Sequence, residues 1–273
     1  MSAVGRTLRA LPTMMKIGVS EAIAYRAEML VWVLSTTMPF INMALWSAVS
    51  AYTPVTTAQG RTYGSADFVT YFLCAFIVRQ IVSSWASWEI NWEVRSGALS
   101  MRLLRPMHPI VVYGSGNLAA LPMRLLVTFP VVVLLFITGA FAKLPNTASL
   151  WALWLLSMFG GWLVTFFINI AIGSLSLFMD SSIKVMDVWL AGFFVFSGYS
   201  FPLAIAPSWL STVAHYMPYR YQFGLPLEMM TGAHDLASAL PLLATQWGWV
   251  TATGVLAVAL WTFGVRRFQA FGG

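Results

Sequence analysis

Charge is what this sequence has least of. Of 273 residues only 9% are charged and 59% are hydrophobic, against about 25% charged in a typical soluble domain. That composition excludes a soluble globular domain and points to a chain solvated largely by lipid. Cysteine is scarcer still. Cys74 stands alone inside an apolar run, so an intrachain disulfide or a cysteine metal cluster is excluded. A Gly-Lys pair is absent, which rules out the Gly-x-x-x-x-Gly-Lys-Ser/Thr phosphate loop and ATP hydrolysis by this chain alone. The three histidines, His108, His215 and His234, lie far apart and show no metal-ligand spacing with carboxylates. A net charge of +6 would suit nucleic acid, but no long soluble basic segment exists to bind it. The charge is read as membrane topology instead.

What the sequence does have is long apolar runs. Crossing roughly 30 Å of hydrocarbon takes about 20 residues in a helix, and runs of that order recur six times. The chain therefore reads as an all-α polytopic membrane protein, a single transmembrane domain over residues 1–273 with six membrane-crossing helices. Before the first span, Leu8, Leu11, Met15, Val19 and Ile23 recur at helical spacing, with Arg9, Thr13, Lys16 and Ser20 on another side. Residues 6–28 are thus expected to form an interfacial amphipathic helix. They lack the apolar core of a signal peptide, so the start is expected to be retained and cytoplasmic.

The spans are expected at residues 29–49, 68–88, 125–141, 149–179, 185–199 and 240–263. Residues 52–66 read as a short polar loop. Arg79 falls near the middle of the second span, and Arg124 is placed at the cytoplasmic boundary of the third. Gly160-Gly161 is the expected bend in the fourth. Residues 200–240 hold apolar pieces cut by Pro207, Pro218, Pro226 and Gly232, none long enough to cross. Outer re-entrant or interfacial half-helices fit that interval.

One polar segment interrupts the middle of the chain. Residues 89–110 carry Glu89, Glu93, Arg95, Arg102 and Arg105, which cannot lie in hydrocarbon. Leu99, Leu103 and Leu104, with Met101 beside them, suit a short helix that rests one face on the membrane or a partner and turns its charges outward. Pro106 and Pro109 end it. With both termini inside, the inner face collects Arg6, Arg9, Lys16, Arg26, Arg95, Arg102, Arg105, Lys184, Arg266 and Arg267, against Arg61, Lys143 and Arg220 outside. This positive-inside bias places the polar segment in the cytoplasm of a multi-pass membrane protein.

Catalysis finds little support. Gly198-Tyr199-Ser200 has the outline of an intramembrane serine protease motif, but the last span holds no histidine to act as base. An ion-coupled secondary transporter is the main alternative, yet no span interior holds a carboxylate, Asp187 being close to a cytoplasmic end. A structural scaffold would explain the spans and leave the charged segment between the second and third without a reason.

The order of features resembles a known family. An amphipathic start and two spans lead to Glu-x-x-x-Glu-Val-Arg-x-Gly-x-Leu with Leu103-Leu104-Arg105-Pro106, then three spans, a broken outer segment and a final span. This order is similar to that of the ATP-binding-cassette (ABC) type-2 permeases. Ser197-Gly198, Phe201-Pro202-Leu203, Pro207-x-Trp209-Leu210, Met217-Pro218 and Gly232 resemble that family's outer re-entrant region, and Gly264-Val265-Arg266-Arg267 its closing helix. The paired permeases of three-component bacterial exporters are the most similar subgroup.

The resemblance implies a cytoplasmic coupling helix seated on a separate ABC ATPase subunit, contacted through Glu89, Glu93, Arg95, Gly97, Leu99, Arg102, Leu103, Leu104 and Arg105. It also implies a second permease subunit, the same or a related chain, in a bacterial inner membrane. No cofactor is expected in this chain, ATP and magnesium belonging to the ATPase. Read from the residues alone, Glu93, Arg95 and Arg102 are either such contacts or solvated loop charges. Arg79 is either half of a buried structural pair or part of a translocation path. Asn169 is either a pathway residue or a hydrogen bond to a neighbouring helix. No residue marks a substrate.

The charge asymmetry makes a topological prediction. Reporter fusions should find both termini and residue 97 in the cytoplasm, and residues 60, 145 and 215 outside. An extracellular residue 97 would end the coupling-helix reading.

Overall fold

The computed structural model describes residues 37–268, apart from 54, 58, 59 and 61, together with scattered helical positions between 12 and 20. Most of the expected interfacial helix at 6–28 and the start of the first span lie outside the described residues. The described helices are α1 (Met38–Tyr52), α2 (Ser65–Val82), α3 (Ala86–Ser96), α4 (Ala98–Leu103), α5 (Pro109–Ala119), α6 (Leu121–Ile137), α7 (Ala148–Ser174), α8 (Ile183–Phe196), α9 (Ser208–Tyr216), α10 (Leu225–Met230) and α11 (Leu236–Arg267).

The chain is an all-α polytopic membrane protein. Among the described residues four segments are long and apolar enough to cross a bilayer: Ser65–Ser96, Pro109–Ile137, Ala148–Leu177 and Leu236–Arg267. The first and third are mostly buried inside the protein, whereas the second and fourth turn most of their apolar surface outward. α8 has 14 residues, or about 21 Å at 1.5 Å per residue, which falls short of the hydrocarbon thickness.

α7 is the helix on which the others lean, packing against α11, α3, α2 and α10. Its glycines explain how. A Cβ on Gly161 would stand 2.7 Å from the Gln222 carbonyl oxygen, and one on Gly160 would stand 3.0 Å from the Gln246 amide. Gly160-Gly161 therefore lets backbones approach, within a helix that continues unbroken from Ala148 to Ser174. Gln246 fills the contact, its amide donating to the carbonyls of Ser157 at 2.9 Å and Tyr221 at 2.8 Å.

Two further features depart from the sequence reading. The loop at residues 52–66 contains a small antiparallel pair, Val55–Thr56 with Thr62–Tyr63. The second expected span breaks early: α2 stops at Val82, and Ser83–Trp85 carries the chain to α3. Arg124 reaches this break from the first turn of α6. Its Nη1 donates to the Gln80 carbonyl at 3.1 Å, the Ser83 carbonyl at 3.0 Å and the Ser83 hydroxyl at 2.7 Å. Carbonyls released by a broken helix find no water in hydrocarbon, so a side-chain donor must supply the bonds.

Residues 200–240 form short pieces: a 3-10 turn at Leu203–Ile205, α9, a π-helical turn at Arg220–Gly224 and α10. The turn preceding them is pinned by two helices. Gly198, left-handed at φ 86°, presents its carbonyl to the Tyr71 hydroxyl at 2.6 Å, while Trp46 Nε1 donates to the Ser200 carbonyl at 3.0 Å. Lys143 Nζ pairs with Asp67 Oδ1 at 2.7 Å, joining the turn after α6 to the first turn of α2.

The glycine contacts predict contrasting substitutions. Gly161→Ala should cost about 1–3 kcal/mol through overpacking against a backbone oxygen that cannot retreat. Gly248→Ala, with nothing within 4 Å of its added methyl, should be neutral or slightly stabilising. Thermal unfolding of the two purified variants in one detergent checks the difference.

Candidate functional site

The polar segment folds as a corner. α3 ends at Gly97, whose φ of 78° is left-handed, and α4 starts from the same residue. A Cβ there would meet nothing within 4 Å. Glycine is favoured at this corner by its backbone angle, not by lack of space. α4 lasts six residues, and Pro109 then opens α5, capped by His108 Nδ1 accepting from the Ile110 N–H at 3.3 Å.

Part of the charge expected to face outward faces inward. Glu93 is only 5% exposed. Its Oε2 accepts from the Tyr113 hydroxyl at 2.5 Å, and its Oε1 pairs with Arg102, which also binds Glu89 Oε1 at 2.9 Å. The Arg102 guanidinium lies 4.4 Å from the centre of the Tyr113 ring. Burial alone would ease its proton off, but the hydrogen bond to Glu93, with the charges around it, outweighs that and holds Arg102 protonated above its ordinary range. A buried carboxylate is tolerated only when paired and hydrogen-bonded, and this one has both.

Leu99 stands beside this cluster and is fully buried among Ile90, Val94, Tyr113, Phe166 and Trp261. Burial of one leucine contributes about 1.5–3 kcal/mol. The nine residues of the segment therefore divide. Glu89, Glu93, Leu99, Arg102 and the half-buried Leu103 fasten the corner to α5, α7 and α11, and Gly97 turns it. Arg95, Leu104 and Arg105 are exposed, Leu104 by 79%, and Met101 joins them at 67%. This tip presents two apolar side chains and two cations without a partner in the described residues.

Two amides tie the corner to the rest. Asn169 on α7 accepts at Oδ1 from the Ser87 hydroxyl at 2.9 Å and the Ser87 N–H at 3.3 Å, and donates to the Thr165 carbonyl. Its Oδ1 thus links α7 to the start of α3, while its Nδ2 bonds back to α7 itself. Asn91 on α3 accepts from the Ser182 N–H at 3.1 Å, holding the turn that leads into α8. Arg79 makes separate contacts. Its guanidinium carbon lies 5.0 Å from the Phe193 ring and 5.8 Å from the Tyr199 ring.

A second charged cluster escaped the sequence reading, which counted Arg220 only as a cation of the outer segment at residues 200–240. Glu228 on α10 receives Arg220 Nε at 3.2 Å and Nη2 at 2.8 Å, and meets His234 Nε2 at 2.8 Å. Arg220 Nη1 also meets His215 Nδ1 at 2.6 Å. Burial pushes the Glu228 carboxyl upward, but Arg220 and His234 outweigh it and hold it down to about 2. Eight residues fall about 80° apart around a regular helix, so helical spacing does not signal the Arg220–Glu228 pair; the π-helical turn that starts at Arg220 lies between them.

Residues 27–272 match the family model described as ABC-2 family transporter protein. No curated protein matches the sequence.

The division of the corner into fastening and exposed residues predicts unequal costs. Glu93→Gln should lower stability by about 1–3 kcal/mol, since it removes one of the two carboxylates that pair the part-buried Arg102 guanidinium. Tyr113→Phe should cost about 1–3 kcal/mol, and Leu104→Ala no more than about 0.5 kcal/mol. Thermal unfolding of the permease alone, with no partner present, reads all three.

Proposed function

This chain belongs to the ABC-2 family of transporter proteins, and from that premise we propose that it is the membrane-spanning permease subunit of an ATP-driven exporter. Family membership implies association with an ABC ATPase and with the bilayer. In the proposed assembly a second permease subunit, the same or a related chain, completes the pathway. ATP and magnesium are bound by the ATPase subunits. The membrane is the bacterial inner membrane, both termini and the α3–α4 corner are cytoplasmic, and the paired-permease exporters are the subgroup.

The observation that carries this reading is the exposed tip of the corner. Met101, Leu104, Arg95 and Arg105 stand out from a base locked by Glu93, Arg102, Tyr113 and Leu99. An apolar pair flanked by arginines suits a protein groove with acidic edges, and interface cores are commonly anchored by such side chains. A rigid base is what a lever needs. Force applied at the tip passes directly to α5 through Tyr113 and Arg102, and through Asn91 to the turn before α8. Closure of the paired ATPases would thus shift several spans together, as a rigid-body change between two access states.

The ion-coupled alternative loses ground on the same residues. Glu228 is committed to Arg220 and His234 within the outer segment, Asp67 starts α2 and pairs with Lys143, and Asp187 sits early in α8. None is a carboxylate stationed mid-span.

Co-purification of the ATPase with tip variants tests the proposal. Leu104→Asp and Met101→Asp should each weaken retention of the ATPase by roughly tenfold or more, the scale of losing one interface anchor, while the permease keeps its own unfolding temperature. Unchanged retention and unchanged substrate-dependent ATPase activity would place the contact elsewhere on the chain.

A further inference from the structure

We propose that His215 is a pH-sensitive catch in the outer segment: neutral, it holds the end of α9 to Arg220, and protonated, it lets α9 go. Such a catch needs no ATPase partner, and the proposed orientation decides only which side of the membrane sets the pH.

The catch ends a chain of four side chains drawn from four pieces of structure. His215 lies in the last turn of α9, Arg220 opens the π-helical turn, Glu228 lies on α10, and His234 precedes α11. Arg220 is fixed by Glu228, to which its Nε donates at 3.2 Å and its Nη2 at 2.8 Å, and this sets the plane of the guanidinium. Its Nη1 then meets His215 Nδ1 at 2.6 Å. A guanidinium only donates, so Nδ1 must be the ring nitrogen without a proton. The geometry thereby assigns both tautomer and charge: His215 is neutral and carries its proton on Nε2.

Protonation removes that acceptor. An imidazolium has an N–H on each nitrogen, so two cations would meet donor to donor across the same contact. Arg220 cannot turn aside without leaving Glu228, whereas α9 can move. It is nine residues long and buries only Leu210 and Ala214, with Trp209 and Tyr216 exposed. Its end is otherwise tied by the Tyr221 hydroxyl, which donates to the His215 carbonyl at 2.8 Å. The far end of the chain responds in the opposite sense. His234 Nε2 faces a carboxylate oxygen at 2.8 Å and so donates; protonation at Nδ1 keeps that bond and adds a charge of the right sign.

The surroundings of His215 do not offset the lost bond. Its titratable and charged neighbours are Tyr216 on its own helix and Arg220 and Tyr221 from the π-helical turn. Glu228, behind Arg220, is already shared with His234. α9 packs on α8 and on the Leu203–Ile205 turn, which meet it with Phe196 and Leu203. α7 carries no charged residue, and α11 carries none before Arg266. Tyr71 of α2 lies within electrostatic range of Glu228, Asp235 adjoins His234, and Lys143, whose carbonyl stands near Gly232, turns its ammonium to Asp67. The held form therefore binds one proton fewer than the released form, and falling pH favours release.

The test uses the purified permease in phosphatidylcholine nanodiscs, with spin labels on Thr212→Cys of α9 and Leu240→Cys of α11, both exposed positions, and with the buried Cys74 replaced by alanine. Between about pH 8 and about pH 5, the span in which histidine changes charge, a second label-to-label distance should appear. Its population should rise roughly tenfold or more, the scale of one hydrogen bond to a charged group. His215→Asn should hold α9 throughout that span, because its Oδ1 stands where Nδ1 does and takes no proton. His215→Leu, without an acceptor, should show the second distance at both ends of it. His234→Gln keeps a donor to Glu228 and should leave the transition in place. If the asparagine variant does not fold, the leucine variant decides by whether α9 is already released at the higher pH. A parent distance that does not change with pH overturns the proposal, as does an asparagine variant that shifts like the parent. Loss of the transition in His234→Gln would assign the sensor to His234 and overturn it too.

Discussion

Hydrocarbon supplies no hydrogen bonds, and the architecture of this permease depends on how it meets that constraint where α2 breaks. Ending the helix at Val82 releases carbonyls inside the bundle, and a single guanidinium from α6 takes up those of Gln80 and Ser83. The break thereby becomes a fixed joint between three elements. Because α3 leaves it at a defined angle, Ile90 and Val94 reach the core cluster shared with α7 and α11, and Asn91 reaches Ser182. A continuous helix through residues 65–96 would have rotated all of these to other faces.

Beyond the joint, the corner at Gly97 uses charge for rigidity. Glu93, Arg102 and Tyr113 are close to fully satisfied by one another, and that satisfaction is what allows a carboxylate to sit at 5% exposure. Breaking such a network is far more costly than building it is rewarding, because each member is left buried without its partner. The same residues that look like a docking patch in one dimension are therefore the mount for it. The surface available to a partner is the narrower tip of Met101, Leu104 and the flanking arginines.

The outer end follows the same physics with different residues. Short helices cannot satisfy their ends by length, so the segment at residues 200–240 is tied down laterally: Tyr71 to the Gly198 carbonyl, Trp46 to the Ser200 carbonyl, and Glu228 to Arg220 and His234. α7 backs both ends. Its glycines at 160 and 161 admit Gln246 and the π-helical turn, and Gly173 near its other end faces Ile90 and Ser87. Motion at either end is transmitted through a helix that packs without slack.

Sequence by itself determined the class of solvent, the apolar runs and the family order, because hydropathy over about 20 residues and the placement of proline, glycine and charge are local properties. It identified the segment at 89–110, and Asn169 as a residue with two possible uses. It did not determine which way Glu93 faces, since an isolated glutamate in a polar stretch looks the same whether Tyr113 waits twenty positions later or not. Nor did it show which neighbours Gly160-Gly161 admits, which rests on the Gln222 carbonyl and the Gln246 amide. Nor did it show that Arg124 caps a broken helix 41 residues earlier in the chain. In each case the deciding partner is distant in sequence, and only tertiary packing brings a buried polar group to the atom that satisfies it.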